Sequence, residues 1–330
     1  MAAPPPDTNP ALSRGVFLDR DTVDRDDLDL GSLHAAVPRL TLHGHTPAEL
    51  TAERLRDMEV VITNKVRLDE PDLQAATDLR LVCISATGIN NVDLAAARAC
   101  GVAVCNVPGY ATAAVVEHVF AVLLALTRRL EEYTDAVRAG RWQRADSFAL
   151  LDFPIRELAG KVFGIVGLGD LGHGVAQVAE ALDMQVLVAQ RPGTEDTRPG
   201  RVPLDELLAR ADVLTLHTPL TPQTRGLIGA RELALMKPDA LLINAARGGI
   251  VDEAALADTL RAGRLGGAAV DVLTEEPPVN GNPLLDVQSP RLLITPHVAW
   301  ATREARQRVI DEVAANIEAF RQGVERNRVA

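Results

Sequence analysis

From residue 15 onward, short apolar runs alternate with amphipathic stretches. "GVFLD", "VVITNK", "LVCISA" and "VAVCNV" predict strands, with "AELTAERLRDM", "EPDLQAATDL" and "NVDLAAARAC" between them as helices. After Pro108 the stretch "ATAAVVEHVFAVLLALTRRLEEYTDAVRAG" predicts one long helix. Its first half is apolar nearly all round, so it should be buried between packed parts. The loop "RWQRADSFALLDFPIREL" follows, and a second alternating series starts at Lys161. There the expected strands are "KVFGIVG", "QVLVAQ", "DVLTLH", "ALLINAA", "AAVDVL" and "LLITPH". The expected helices are "GVAQVAEAL", "PLDELLARA", "DEAALADTLRAG" and "TREARQRVIDEVAANIEAFRQ". Alternation of this kind implies parallel sheets joined by right-handed crossovers. Two such series predict two α/β domains, Rossmann-like or flavodoxin-like.

Composition narrows the partners. A chain of 330 residues, 47% apolar, can bury two sizeable cores. With aromatics at 3%, those cores are built from Ala, Val, Leu and Ile. The net charge of −11 argues against a nucleic-acid or anionic-membrane partner, which needs clustered cations. The only lysines are Lys65, Lys161 and Lys237, and with so much alanine and arginine the composition fits a GC-rich bacterial genome. Cys83, Cys100 and Cys105 sit in apolar runs without a C-x-x-C pair, so buried, reduced thiols in a cytoplasmic protein are expected. No apolar run reaches the ~18 residues of a membrane span. "MAAPPPDTNP" lacks the basic and apolar regions of a signal peptide and reads as a loosely packed leader.

The glycine run in "KVFGIVGLGDLGHGVAQVAEAL" stands between a strand and a helix, the context a dinucleotide site requires. Gly167 would make the tight turn, Gly169 would admit a pyrophosphate, and Gly172 would let helix and strand pack closely. Asp170 and Leu171 open the helix, whose free N–H groups and dipole favour an anion. About twenty residues on, a carboxylate should grip the adenine ribose. Gln190 and Arg191 stand there instead. Gln190 can bond a hydroxyl without repelling a 2′-phosphate, and Arg191 can pair with one. The expectation is therefore NAD with NADP accepted. Arg198 and Arg201 follow in the same segment and could add positive potential.

Three further motifs lie at strand ends: Arg247 in "LLINAARGGIVDEAAL", Glu275 and Glu276 in "AAVDVLTEEPP", and His297 in "LLITPHVAW". By spacing alone each is bland. Together with "GLGDLG", "HTPLTPQTRGLI" and "MKPDALLINAARGGIVDEAAL", the chain resembles the D-isomer-specific 2-hydroxyacid dehydrogenases from about residue 45 to 325. The resemblance implies a catalytic triad. Arg247 would hold the carboxylate and carbonyl of a 2-keto acid. His297 would be the general acid and Glu276 its carboxylate partner, with Glu275 the weaker candidate.

The resemblance also implies that the backbone near Thr87 and Gly88 bonds the substrate carboxylate. It places Thr112 near the cofactor phosphates, His217, Thr218 and Pro219 under the adenosine, and Ala245 and Asp271 near the nicotinamide. It makes the substrate domain discontinuous, 1–108 plus 299–330, around a cofactor domain of 109–298. The active site would then lie between the domains, and the long helix after Pro108 would form a homodimer interface. Trp142 would approach a neighbouring subunit. Within the family, "DFPIRELAGK", "LVAQRPG" and "TPHVAW" resemble glycerate dehydrogenase (hydroxypyruvate reductase) members, so hydroxypyruvate or glyoxylate is the expected substrate. A 3-phosphoglycerate dehydrogenase, disfavoured if a C-terminal regulatory domain is required, stays open, as does a dinucleotide-sensing corepressor. The glutamate at 276 argues against formate dehydrogenase activity. His173 is an unusual residue for the fingerprint helix and is not expected to be catalytic. No metal is expected.

Overall fold

A computed structural model describes residues 12–191, 194 and 198–330. The leader, read as loosely packed, lies outside the described residues. The chain divides into two compact units. One comprises the chain up to Ala111 with Ala301–Ala330, and the other Thr112–Trp300.

The first unit is built on five parallel strands: β1 (Arg14–Phe17), β2 (Arg39–Leu42), β3 (Val60–Thr63), β4 (Leu81–Ile84) and β5 (Ala103–Cys105). Their order is β2-β1-β3-β4-β5, the doubly wound order of flavodoxin-like folds. Every residue of β3 and β4 is buried, which is why "VVIT" and "LVCI" are continuous apolar runs rather than alternating ones. One face is covered by residues such as Leu55, Leu73 and Ala97. The other is covered by Leu33, Val37 and the last helix, Arg303–Arg321, through Val309, Ile310, Val313 and Ile317. A two-pronged Arg306–Asp27 pair, both N···O distances 2.7 Å, fixes that helix to the loop after β1. The Arg306 hydrogen bonds hold the Asp27 carboxyl down at about 2.

The second unit carries seven parallel strands: β6 (Val162–Val166), β7 (Gln185–Ala189), β8 (Arg201–Val202), β9 (Val213–Leu216), β10 (Leu241–Asn244), β11 (Gly267–Val270) and β12 (Leu292–Ile294). Their order is β12-β11-β10-β9-β6-β7-β8. The progression reverses between β6 and β9, so the crevice at the carboxyl ends of these two strands is the ligand position of an open α/β sheet. β9, β10 and β11 are wholly buried, and one core cluster runs from Val166 through Leu214 and Leu242 to Val270.

Several elements differ from the sequence expectation. The stretch after Pro108 is two helices, Thr112–Arg128 and Leu130–Arg138, broken where Arg129 takes φ 52°. The first buries most of its apolar residues. β2 and β8 and the short helices Gly31–Ala36 and Ala230–Leu235 have no counterpart in the apolar pattern. β2 is a half-exposed edge strand and β8 has two residues, so neither carries a run long enough to see. Cys83 and Cys105 are buried, but Cys100 is exposed, because it caps the helix Leu94–Ala99 rather than lying in its apolar face. Among the described residues no helix is long and apolar enough to cross a membrane, and no cluster of His, Cys, Asp or Glu could hold a metal ion.

Candidate active site

Because β6 to β12 are parallel, residues that follow them share one edge of the second unit. The glycine run follows β6, Gln190 follows β7 and His217 follows β9. Ala245 follows β10, Asp271 follows β11, and His297 stands three residues past β12.

The glycine run has the geometry of a phosphate cradle. Gly167 has φ +95°, and a Cβ there would meet the His217 carbonyl oxygen at 2.4 Å. A Cβ on Gly172 would meet the Gly167 carbonyl oxygen at 2.2 Å. Both must be glycine to close the turn against its neighbours. A Cβ on Gly169 would meet nothing within 4 Å, so the space over the helix N-terminus is open. Gly169 caps the helix Asp170–Ala181 with no side-chain acceptor, so its first-turn amides are left for an anion. Asp170 and His173 are exposed on this first turn, Leu171 is half-buried, and Thr112 begins the helix packed beside it. Gly174, which the sequence reading did not single out, makes that packing close: a Cβ there would meet Val116 Cγ2 at 2.7 Å.

Gln190 is half-buried, and its amide donates to the Val202 carbonyl of β8 at 2.8 Å. Arg191 and Arg198 are exposed. Arg201 belongs to β8, where it donates to the Ala189 carbonyl at 3.0 Å and braces the sheet edge. The segment His217-Thr218-Pro219 packs directly against Gly167. Thr215 Oγ1 lies 2.9 Å from the His217 ring Nε2, while Nδ1 is buried with no internal partner. Burial pushes the His217 imidazole down to about 4, so it is neutral at physiological pH. Glycines that a Cβ would disrupt, an open helix N-terminus and an orphaned imidazole nitrogen all fit a nicotinamide dinucleotide.

The three motif residues come together by a chain of backbone constraints. Asn244, 2% exposed at the end of β10, receives the Ala246 amide at 3.1 Å and donates to the Arg247 carbonyl at 3.1 Å. Arg247 Nη1 donates to the Ala246 carbonyl at 2.7 Å. A Cβ on Gly248 would meet the Leu273 carbonyl oxygen at 1.9 Å, so this glycine brings the arginine loop against the segment holding Glu276. Glu276 accepts the Leu273 amide on Oε1 at 2.8 Å and lies 2.7 Å from His297 Nδ1 through Oε2. Glu275 points elsewhere, to Asn280 at 2.7 Å. His297 has φ 54°, a left-handed conformation that a non-glycine residue adopts at a cost of order 1–3 kcal/mol. Its amide donates to the Asp271 carbonyl at 2.8 Å, and its carbonyl accepts Trp300 Nε1 at 3.0 Å.

Asp271, 3% exposed, ties this loop down. Oδ1 accepts Thr295 Oγ1 at 2.6 Å and the Val298 amide at 2.9 Å, and Oδ2 accepts the Ala299 amide at 2.9 Å. In the first unit, the Thr87 hydroxyl donates to the Val107 carbonyl at 2.9 Å and the Thr87 backbone carbonyl accepts Asn106 Nδ2 at 2.8 Å. That loop is pinned, and among the described residues the amides of Thr87 and Gly88 meet no internal acceptor. Asn244, Gly248 and Thr295 were not found by sequence reasoning. Each stands inside one of the motifs, but its role is visible only in the contacts it makes.

A doubly wound seven-stranded sheet with a glycine cradle at its switch point and an Arg–Glu–His set on the same edge defines a dinucleotide-dependent oxidoreductase. Residues 120–299 match the family model described as D-isomer specific 2-hydroxyacid dehydrogenase, NAD binding domain, and the chain belongs to this family. It is 43% identical to the glycerate dehydrogenase of Methylorubrum extorquens, over 95% of this chain and 98% of that one. Among solved structures it is similar to the TT0316 protein of Thermus thermophilus, with a TM-score of 0.83 and 34% identity, covering 96% of this chain and all of that one. An NADPH-dependent glyoxylate/hydroxypyruvate reductase from Sinorhizobium meliloti, solved with NADP and malonate, superimposes with a TM-score of 0.80 at 28% identity over 97% of each chain.

Proposed function

We propose that the protein interconverts a small 2-keto acid and its D-2-hydroxy acid, with hydroxypyruvate and glyoxylate as the first substrates. The observation that carries this reading is the His297 Nδ1–Glu276 Oε2 contact of 2.7 Å on the edge that also bears the glycine cradle and Arg247. With Nδ1 held by the carboxylate, Nε2 is the nitrogen left to give or take the proton on the substrate oxygen. Glu276 is itself oriented by the Leu273 amide, so the imidazole is held in one plane. Arg247 spends one N–H on its own loop and keeps the rest of its fork for the carboxylate and carbonyl of the substrate, polarising the latter. When bound, the nicotinamide dinucleotide supplies or accepts the hydride.

For the cofactor, Gly167, Gly169, Asp170, Leu171, Gly172 and Thr112 form the phosphate end. His217, Thr218 and Pro219 underlie the adenosine, and Ala245 and Asp271 lie towards the nicotinamide. Asp271 Oδ2 accepts a single bond among the described residues and has a lone pair for the carboxamide. NAD is favoured with NADP accepted, because Gln190 grips a ribose hydroxyl without repelling a 2′-phosphate and exposed Arg191 follows it. The functional species is a homodimer. Its contact surface contains Leu130, Val137, Trp142, Phe148, Leu151 and Ile155, all exposed apolar residues of the second unit.

The test is a turnover assay with hydroxypyruvate and glyoxylate, each with NADH and NADPH. Turnover of either keto acid with NADH, and at least a few per cent of it with NADPH, is expected. A protein that binds dinucleotide and turns over neither would be a sensor, not this enzyme.

A further inference from the structure

We infer that His118 and Thr295 are positioning residues for the reaction, acting through Asp271 on the loop that carries His297. The inference rests on the reading of His297 as the proton donor. His118 lies in the helix Thr112–Arg128, and its Nε2 is 3.3 Å from Thr295 Oγ1 and 3.9 Å from Asp271 Oδ1. Thr295 is the first residue past β12 and two before His297. Its hydroxyl is 2.6 Å from Asp271 Oδ1.

Donor counting fixes the direction of this chain. An ionised carboxylate only accepts, so the single Thr295 hydroxyl hydrogen goes to Asp271. The Thr295 oxygen must then accept from His118, which places a hydrogen on His118 Nε2. Asp271 in turn receives the Val298 and Ala299 amides, and its backbone carbonyl receives the His297 amide. One buried residue, Asp271, therefore holds residue 297 through its backbone carbonyl and residues 298 and 299 through its carboxylate, and His118 and Thr295 hold that carboxylate. His297 needs such a clamp, because its left-handed backbone persists only where the surroundings over-determine it. His118 lies outside the motifs, and Thr295 shares the His297 motif without being assigned a contact with substrate or cofactor. Their effect is on the aim of the imidazole, which a shift of about 1 Å would spoil.

The experiment compares Thr295→Val with Thr295→Ser, and His118→Leu with His118→Gln, whose amide nitrogen can replace Nε2–H. His297→Asn is run in parallel. The readouts are kcat and KM for hydroxypyruvate with NADH, and the melting temperature. Thr295→Val and His118→Leu should lower kcat about tenfold with KM changed less than about twofold. Thr295→Ser and His118→Gln should recover most of the rate. A kcat within about twofold of wild type in both disruptive variants, a loss confined to KM, or a serine variant as slow as the valine one would overturn the inference. If His297→Asn is itself fully active, it is the reading of His297 that fails. If His297→Asn is dead while Thr295→Val is unaffected, only the positioning role falls.

Discussion

The buried imidazole of His217 makes a quantitative prediction about acid stability. Burial lowers its folded-state value from 6.5 to about 4, whereas in the unfolded chain it returns to 6.5. The unfolded state therefore binds a proton that the folded state refuses. Stability from this group is fully present above pH 6.5 and is lost as pH falls through the window from 6.5 to about 4. The whole gap is worth roughly 3–4 kcal/mol at roughly 1.4 kcal/mol per unit, and by about pH 4.5 most of it is gone. His217→Gln keeps a side-chain amide near Thr215 but cannot titrate. Urea denaturation of both proteins without dinucleotide, at about pH 7 and about pH 4.5, isolates the term, because every other titrating group is shared. The wild type should lose roughly 2–3 kcal/mol more than the variant over that interval. A difference below about 0.5 kcal/mol would refute the argument that this ring is held neutral by burial.

Other outcomes follow from the same geometry. Gly172→Ala places a Cβ 2.2 Å from the Gly167 carbonyl oxygen, so it should lower the melting temperature and abolish measurable NADH binding in a fluorescence titration. Gly169→Ala meets no protein atom within 4 Å, so it should leave the melting temperature unchanged and weaken NADH binding alone. Gln190→Asp should cut kcat/KM for NADPH by about tenfold or more while sparing NADH, since a carboxylate repels the 2′-phosphate. Replacing both Phe148 and Leu151, 93% and 86% exposed, with serine should shift the protein towards monomer in light scattering.

The strands most legible in the sequence were those buried on both faces. "VVIT", "LVCI", "VLTL" and "LLIN" are solid apolar runs because every residue in them is covered. The half-exposed edge strand Arg39–Leu42 left no such trace. The break at Arg129 was invisible because an arginine in a left-handed conformation has no compositional signature. Gly167 could be read as the tight-turn glycine and Gly172 as the helix–strand packing glycine because the strand and helix flanking them were already evident. Asn244 and Gly248 could not, because their significance lies in contacts with Ala246, Arg247 and Leu273 that only the folded loops create. His118 was hidden most deeply: it meets Thr295 across 177 residues of chain and looks, in sequence, like one polar residue of an apolar helix.

The central claim is that His297 and Arg247 carry keto-acid reduction on this edge of the sheet. Steady-state reduction of hydroxypyruvate with NADH by wild type, Arg247→Ala and His297→Asn, with NADH affinity measured on the same samples, tests it most directly. Each variant should lose about a hundredfold or more in kcat/KM, with NADH affinity within about threefold of wild type. Near-normal kcat/KM in either variant, or a loss matched by an equal loss of NADH binding, would contradict the account.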